Sequence, residues 1–220
     1  MNYGLQVFNN DGIIQIDGLY KNLQLISVGT TTSGGAVTVG PDEVIAIRAA
    51  PGSWANVYTY NSAYLAGTPI ATSTATEYRF IGNGTIYYYV FGYPSTDNGL
   101  FTVYDPSGVP VFSAGKGYMN VVLANSGYDS LSTTHYGEDY NGRGIASHSI
   151  PPEKTYAILP GVCTSYVMPH YAGDTVYIQV FSFSAGTINS YYTRITSYHA
   201  YIAQYKHAFY NYLILDVTGL

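Results

Sequence analysis

Charge is scarce in this sequence: 8 Lys and Arg and 13 Asp and Glu make up 10% of its 220 residues, against a usual share of about 25%. With 47% apolar residues beside that low charge, the chain is not a disordered, solvated tail and has the material for a core. Basic residues are in deficit. A net charge of −5 argues against a nucleic-acid binder, which presents a basic face. Cysteine is nearly absent. The single Cys163 excludes an internal disulfide framework and supplies no zinc cluster. Long apolar runs are missing too: stretches such as Ile86 to Phe91 have strand length and fall far short of the roughly 18 residues of a membrane span. The opening Met1-Asn2-Tyr3-Gly4-Leu5-Gln6 has neither a basic nor an apolar segment of a secretory signal, so the expectation is synthesis in a cytoplasm without membrane insertion.

What remains has the pattern of strands. Leu5 to Phe8 and Ile13 to Ile16 flank Asn9-Asn10-Asp11-Gly12, which is hairpin-turn chemistry. In the first half, strands are expected at Leu23 to Val28, Val44 to Arg48, Trp54 to Tyr60, Glu77 to Ile81 and Thr85 to Phe91. The second half adds Phe101 to Tyr104, Val109 to Phe112, Tyr118 to Leu123, Thr155 to Leu159, Val176 to Phe183, Tyr191 to Ala203 and Phe209 to Val217. Gly29 to Gly40 and Ser126 to Pro152, rich in small polar residues, read as the long loops. No window carries a capped apolar stripe at helical spacing, so the expected class is all-β.

The chain repeats itself. Tyr3 to Asp17 aligns without gaps on Gly99 to Ser113, with Val7 on Val103, Gly12 on Gly108 and Ile16 on Phe112, a spacing of 96. Pro41 to Ile47 aligns on Pro152 to Ile158 at a spacing of 111, and the same spacing carries Val103 to Gly108 onto Ile214 to Gly219. The 15 extra residues fall between Leu123 and Pro152. These matches predict two tandem antiparallel β-sandwich-like units, 1–97 and 98–220, sharing a duplicated N-terminal hairpin. The second has the longer loop, 126–150, and Ile214 to Gly219 reads as the opening of a third copy.

Catalytic patterns are weak. His135, His148, His170, His199 and His207 form no spaced metal pair. His135-Tyr136-Gly137-Glu138-Asp139 is the one His/carboxylate cluster, and a solvated loop tip explains it better than a Ca²⁺ site. Cys163 lacks a Cys-His signature, and a lone Cys is usually a small buried hydrophobe. No nucleophile elbow, phosphate loop or dinucleotide motif is present. The reading is of a non-enzyme without metal or cofactor.

Tyrosine is the residue in excess, at 26. A phenol fits a pleated surface, enriches protein interfaces and stacks on sugars. The contact candidates are Tyr87, Tyr89, Tyr191 and Tyr192, with Tyr128, His135, Tyr136 and Tyr140 in the second long loop, whose composition suits adaptable recognition.

The hairpin Tyr3 to Asp17 (YGLQVFNNDGIIQID), its second version at Gly99 to Ser113 and the ending Leu213 to Gly219 (LILDVTG) together resemble a group of small Tyr- and Gly-rich tailed-bacteriophage proteins associated with tails or tail fibres. The resemblance lies in strand and turn and transfers no functional residue. It implies a virion structural component at the tail tip or on a fibre, made in the host cytoplasm. Its partners would be other tail proteins and further copies of itself in a symmetric assembly. The alternatives are a host-receptor or glycan-binding adhesin of the tail that contacts the host cell surface, and a capsid decoration protein.

Overall fold

The computed structural model describes residues 6–8, 14–17, 23–59, 76–93, 101–105, 107–113, 117–129, 140–163, 165–168, 175–196, 206–207 and 209–220. Every regular element among them is a strand, and no helix among them could cross a membrane. The first half contributes β1 (Gln6–Phe8), β2 (Ile14–Asp17), β3 (Gln24–Thr31), β4 (Ala36–Val39), β5 (Val44–Ala49), β6 (Trp54–Thr59), β7 (Thr76–Gly82) and β8 (Ile86–Gly92). The second contributes β9 (Thr102–Tyr104), β10 (Pro110–Ser113), β11 (Asn120–Tyr128), β12 (Gly144–Ser149) and β13 (Tyr156–Val162). It continues with β14 (Ser165–Met168), β15 (Thr175–Ser184), β16 (Thr187–Thr196), β17 (Lys206–His207) and β18 (Phe209–Asp216). The all-β expectation holds.

Two antiparallel sheets carry the fold. One has six strands in the order β11-β18-β13-β5-β8-β3; the other runs β12-β16-β15-β6-β7-β4, with β14 paired to β15 and β17 paired to β14. Each sheet joins three first-unit strands to second-unit strands, three in the first sheet and five in the second. The triplets β5-β8-β3 and β6-β7-β4 are matched by β13-β18-β11 and β15-β16-β12.

The repetition reaches the level of register. In hairpin β1-β2, Val7 faces Ile16 and Phe8 faces Ile14; 96 positions on, Val103 faces Phe112 and Tyr104 faces Pro110, with the same slip between the two pairs. The β3-β8 ladder bulges between Leu25 and Ser27, and β11-β18 bulges between Val121 and Leu123, again 96 positions later. A bulge that recurs at the same place is a built feature of the strand.

The halves meet edge to edge. Ile47 pairs with Ile158, the residues aligned by the 111 spacing, and Phe181 and Ser182 pair with Ala55 and Trp54. Beyond that short ladder Asn56 takes over: its amide donates to the Gln179 carbonyl at 2.7 Å, and its Oδ1 accepts from the Val57 N–H at 2.7 Å. A second seam joins Leu23 and Met119, equivalents at the 96 spacing, through Met119 N–H to Leu23 O at 2.9 Å. Antiparallel contacts between equivalent residues are what a pseudo-two-fold relation between the halves requires.

Side chains from both sheets and both halves fill one inter-sheet core: Ile45, Ile47, Ile86, Val90, Ile158 and Ile214 against Ala55, Val57, Phe80, Phe181, Phe183 and Ile188. Each large aliphatic or aromatic residue so buried stabilises by about 1.5–3 kcal/mol relative to exposure. The proposed units 1–97 and 98–220 therefore divide strands but not the core; residues 94–100, where they would part, lie outside the described residues. The six-stranded sheet is also covered on its other face, where Ala46, Tyr89, Phe91, Ala157, Leu215 and Val217 cluster with Leu23, Met119 and Leu220 around them. Burial on both faces explains its unbroken apolar runs, such as Val44 to Ile47.

Three expectations are corrected. Gly29 to Gly40 contains the end of β3 and all of β4. The expected loop 126–150 likewise contains the end of β11 and all of β12, although 130–139 lie outside the described residues. Their small residues form strands because neighbours cover them: Tyr88 lies over Gly29 and Tyr210 over Gly127, so closely that a Cβ at either glycine would collide with the phenol. Finally, Ile214 to Gly219 opens no third copy. Ile214 to Asp216 belong to β18, the counterpart of β8. Its likeness to Val103 to Gly108 is local turn chemistry. Asp105 Oδ1 accepts from Ser107 N–H at 2.8 Å and Asp216 Oδ1 from Thr218 N–H at 3.0 Å. A glycine then takes positive φ, 80° at Gly108 and 81° at Gly219, in Asx turns of one kind.

Candidate interaction surface

The tyrosines expected to make contacts separate by strand parity. Along β8, Tyr88 packs toward the inter-sheet core while Tyr87 and Tyr89 turn to the second cluster. Tyr89 is buried there, its hydroxyl pKa raised chiefly by that burial. Tyr87 is half-buried under the Arg48 guanidinium, 5.3 Å from the ring centre. Tyr140 and Tyr192 form a third buried cluster with Tyr177, whose ring meets Tyr140 edge-on at 5.6 Å. Tyr89, Tyr140 and Tyr192 are thus occupied inside their own chain and offer no surface to a partner. His135 and Tyr136 lie outside the described residues.

Two candidates stand at the surface. Tyr191 is half-buried on a shallow groove beside Ser147, Ser182 and Asn189. Tyr128 is 59% exposed and meets Phe209, 67% exposed, edge-on at 5.0 Å. These two rings flank a cleft floored by Gly127 and walled by Tyr210. The cleft lies at the end of β11, the outermost strand of the six-stranded sheet. Sequence reasoning missed the rest of that strand. Val121, Val122 and Leu123 are exposed at 43%, 45% and 40%, and β11 carries no Lys, Arg, Asp, Glu or Pro. Sheet edges are normally protected by charge or proline. The signal was the uncharged run itself, whose position at an edge only the topology reveals.

Polar chemistry gathers at one place. Asn125 on β11, Tyr212 on β18 and His148 on β12 meet between the sheets. The Asn125 amide donates to Tyr212 Oη at 2.7 Å, and that hydroxyl stands 2.7 Å from His148 Nε2. Burial lowers the His148 pKa and so favours the neutral ring, whose Nε2 shares a hydrogen bond with the phenol. In the first half the counterpart of the Asn125–Tyr212 pair is Gly29 opposite Tyr88, where no such network is needed. Cys163 contacts the core with its thiol pKa pushed up to about 11 by burial, which keeps it protonated and poorly nucleophilic. Among the described residues no three His, Cys, Asp or Glu side chains are grouped to hold a metal ion. Comparison of the chain with protein-family models, with curated proteins and with solved structures finds no match.

Proposed function

We propose that this chain is a structural component of a tailed-bacteriophage virion, associated with the tail tip or a fibre, and that it acts by protein–protein assembly. The observation that carries the assembly reading is the uncharged edge of β11, with Val121, Val122, Leu123, Tyr128 and the adjoining Phe209 all exposed. Such a surface is a template for another chain. The placement in a tail rests on the hairpin pattern of Tyr3 to Asp17 and its repeat at Gly99 to Ser113. Quantitative mass spectrometry of purified particles of the encoding phage tests it. The chain is expected at a fixed copy number per virion; its absence from washed particles overturns the reading.

A second reading, a host-surface adhesin, is favoured by the groove at Tyr191, where a phenol stands beside the polar side chains of Ser147 and Asn189. Aromatic rings with adjacent hydroxyl and amide groups suit a sugar. Binding of the purified protein to host cells that disappears with Tyr191→Ala supports this reading. Equal binding by both proteins speaks against it.

A further inference from the structure

We infer that β11 is a self-pairing edge, on which a second copy of this chain lays its own β11 antiparallel and extends the six-stranded sheet across a two-fold axis. The inference rests on the assembly reading above and names the partner at that surface. Three observations point to a second copy.

The first is the difference between the two halves. β3 and β11 hold equivalent edges of the same fold, with the same bulge. In β3, Leu25 and Ile26 are half-buried against the chain's own clusters, and the next residue is Ser27. In β11 the corresponding Val121, Val122 and Leu123 are all exposed. β3 leaves one large apolar side chain exposed, Val28, whereas β11 leaves three in succession and adds Tyr128 at its end, so the second half carries the larger apolar edge on the same scaffold.

The second is self-complementarity. From Leu123 to Tyr128 the ladder to β18 is regular, bulky at the start and small at Ala124, Ser126 and Gly127. Antiparallel pairing about Asn125 sets Leu123 opposite Gly127 of the second copy, and Val122 opposite its Tyr128. The two Val122–Tyr128 pairs are of the aromatic–β-branched kind that favours cross-strand contact. Because residues summing to an even number lie opposite each other, both copies keep the same face toward their inter-sheet cores. No charged side chain within β11 opposes the contact.

The third is precedent within the chain, whose halves already join through antiparallel contacts of equivalent strands, β5 with β13. The β11 pairing repeats that junction between molecules.

The test is the solution mass of the full-length protein. Sedimentation is expected to give twice the 23.9 kDa of one chain. Leu123→Lys should return it to one chain with an unchanged far-UV spectrum, and Ser27→Lys, at the equivalent edge position of the first half, should leave the dimer intact. Should Leu123→Lys fail to fold, Ala124→Cys replaces it. A short bis-maleimide is expected to link two Ala124→Cys chains, and neither Val28→Cys nor the unsubstituted protein, whose one thiol is buried. A single-chain mass for the unsubstituted protein, a dimer that survives Leu123→Lys, or linking at Val28→Cys alone overturns the inference. A monomer that still enters virions removes the self-pairing and leaves the assembly reading; a dimer never found in virions does the reverse.

Discussion

Tyr88 and Tyr212 hold the same place in the two halves, and their surroundings show how one scaffold carries different chemistry. Tyr88 lies over Gly29 and tilts against Phe80 at 5.6 Å. Tyr212 packs edge-on against Phe181 at 5.0 Å and takes hydrogen bonds with Asn125 and His148. His148 has a pKa held below its ordinary 6.5 by burial. The unfolded chain therefore binds the proton more readily, and stability falls as pH drops through 6.5 toward the lowered folded value. Urea midpoints measured between pH 5 and 8 should fall on the acid side of 6.5, and His148→Gln should flatten that part of the profile. A profile identical for both proteins would show that His148 contributes nothing to it. Little of this was legible in the residues taken singly. The 26 tyrosines were visible as an excess, but whether each faces core or solvent depends on strand parity and on what covers the sheet. Tyr89, Tyr140 and Tyr192 turned inward for that reason.

Among the elements, those defined by local chemistry were legible and those defined by neighbours were not. The hairpins at 6–17 and 102–113 could be read because turn-forming residues between two short apolar runs are a local signal; in the second, Asp105 caps an Asx turn ahead of Gly108. β4 and β12 were hidden because AVTV is only four residues long within a Gly- and Thr-rich stretch and GIASHS is mostly small and polar; pairing with β7 and β16 makes them strands. The seam β5-β13 was hidden for the same reason: the sequence repeat shows that Ile47 and Ile158 are equivalent, not that they touch. That seam is narrow in hydrogen bonds and depends on packing, both isoleucines being fully buried. Ile158→Ala should cost about 2–5 kcal/mol, the range for removing a large aliphatic side chain from a packed core. Denaturant unfolding with an unchanged m-value checks it. A loss under about 1 kcal/mol, no more than a mild Ile→Val change, would mean that the seam is not a packed core.

On the scale of the whole molecule, the two repeated halves form one body. Strands of the two halves alternate in neither sheet; those of one half abut those of the other at a single junction in each, and the core between the sheets has contributors from both halves. Residues 1–97 or 98–220 alone would leave the β5 or β13 edge open and half of that core exposed. Expressed separately, each is expected to be insoluble or to lack a cooperative melt, and co-expression is expected to restore a folded complex. A fragment that melts cooperatively alone would show that the halves are independent domains. The sequence repeat revealed the two halves but could not tell tandem beads from a fused sandwich, because that distinction lies in contacts more than 100 residues apart, as between Asn56 and Gln179.

The outermost strand of that body, β11, is where the account is most exposed to contradiction. On the proposed tail reading, a cryo-electron-microscopy map of the tail of a phage that encodes this chain tests it directly. The account predicts the two-fold sandwich within the tail, with the edge from Val121 to Tyr128 covered by another strand. A sandwich located there with that edge facing solvent, or a complete tail map with no place for the chain, would contradict it.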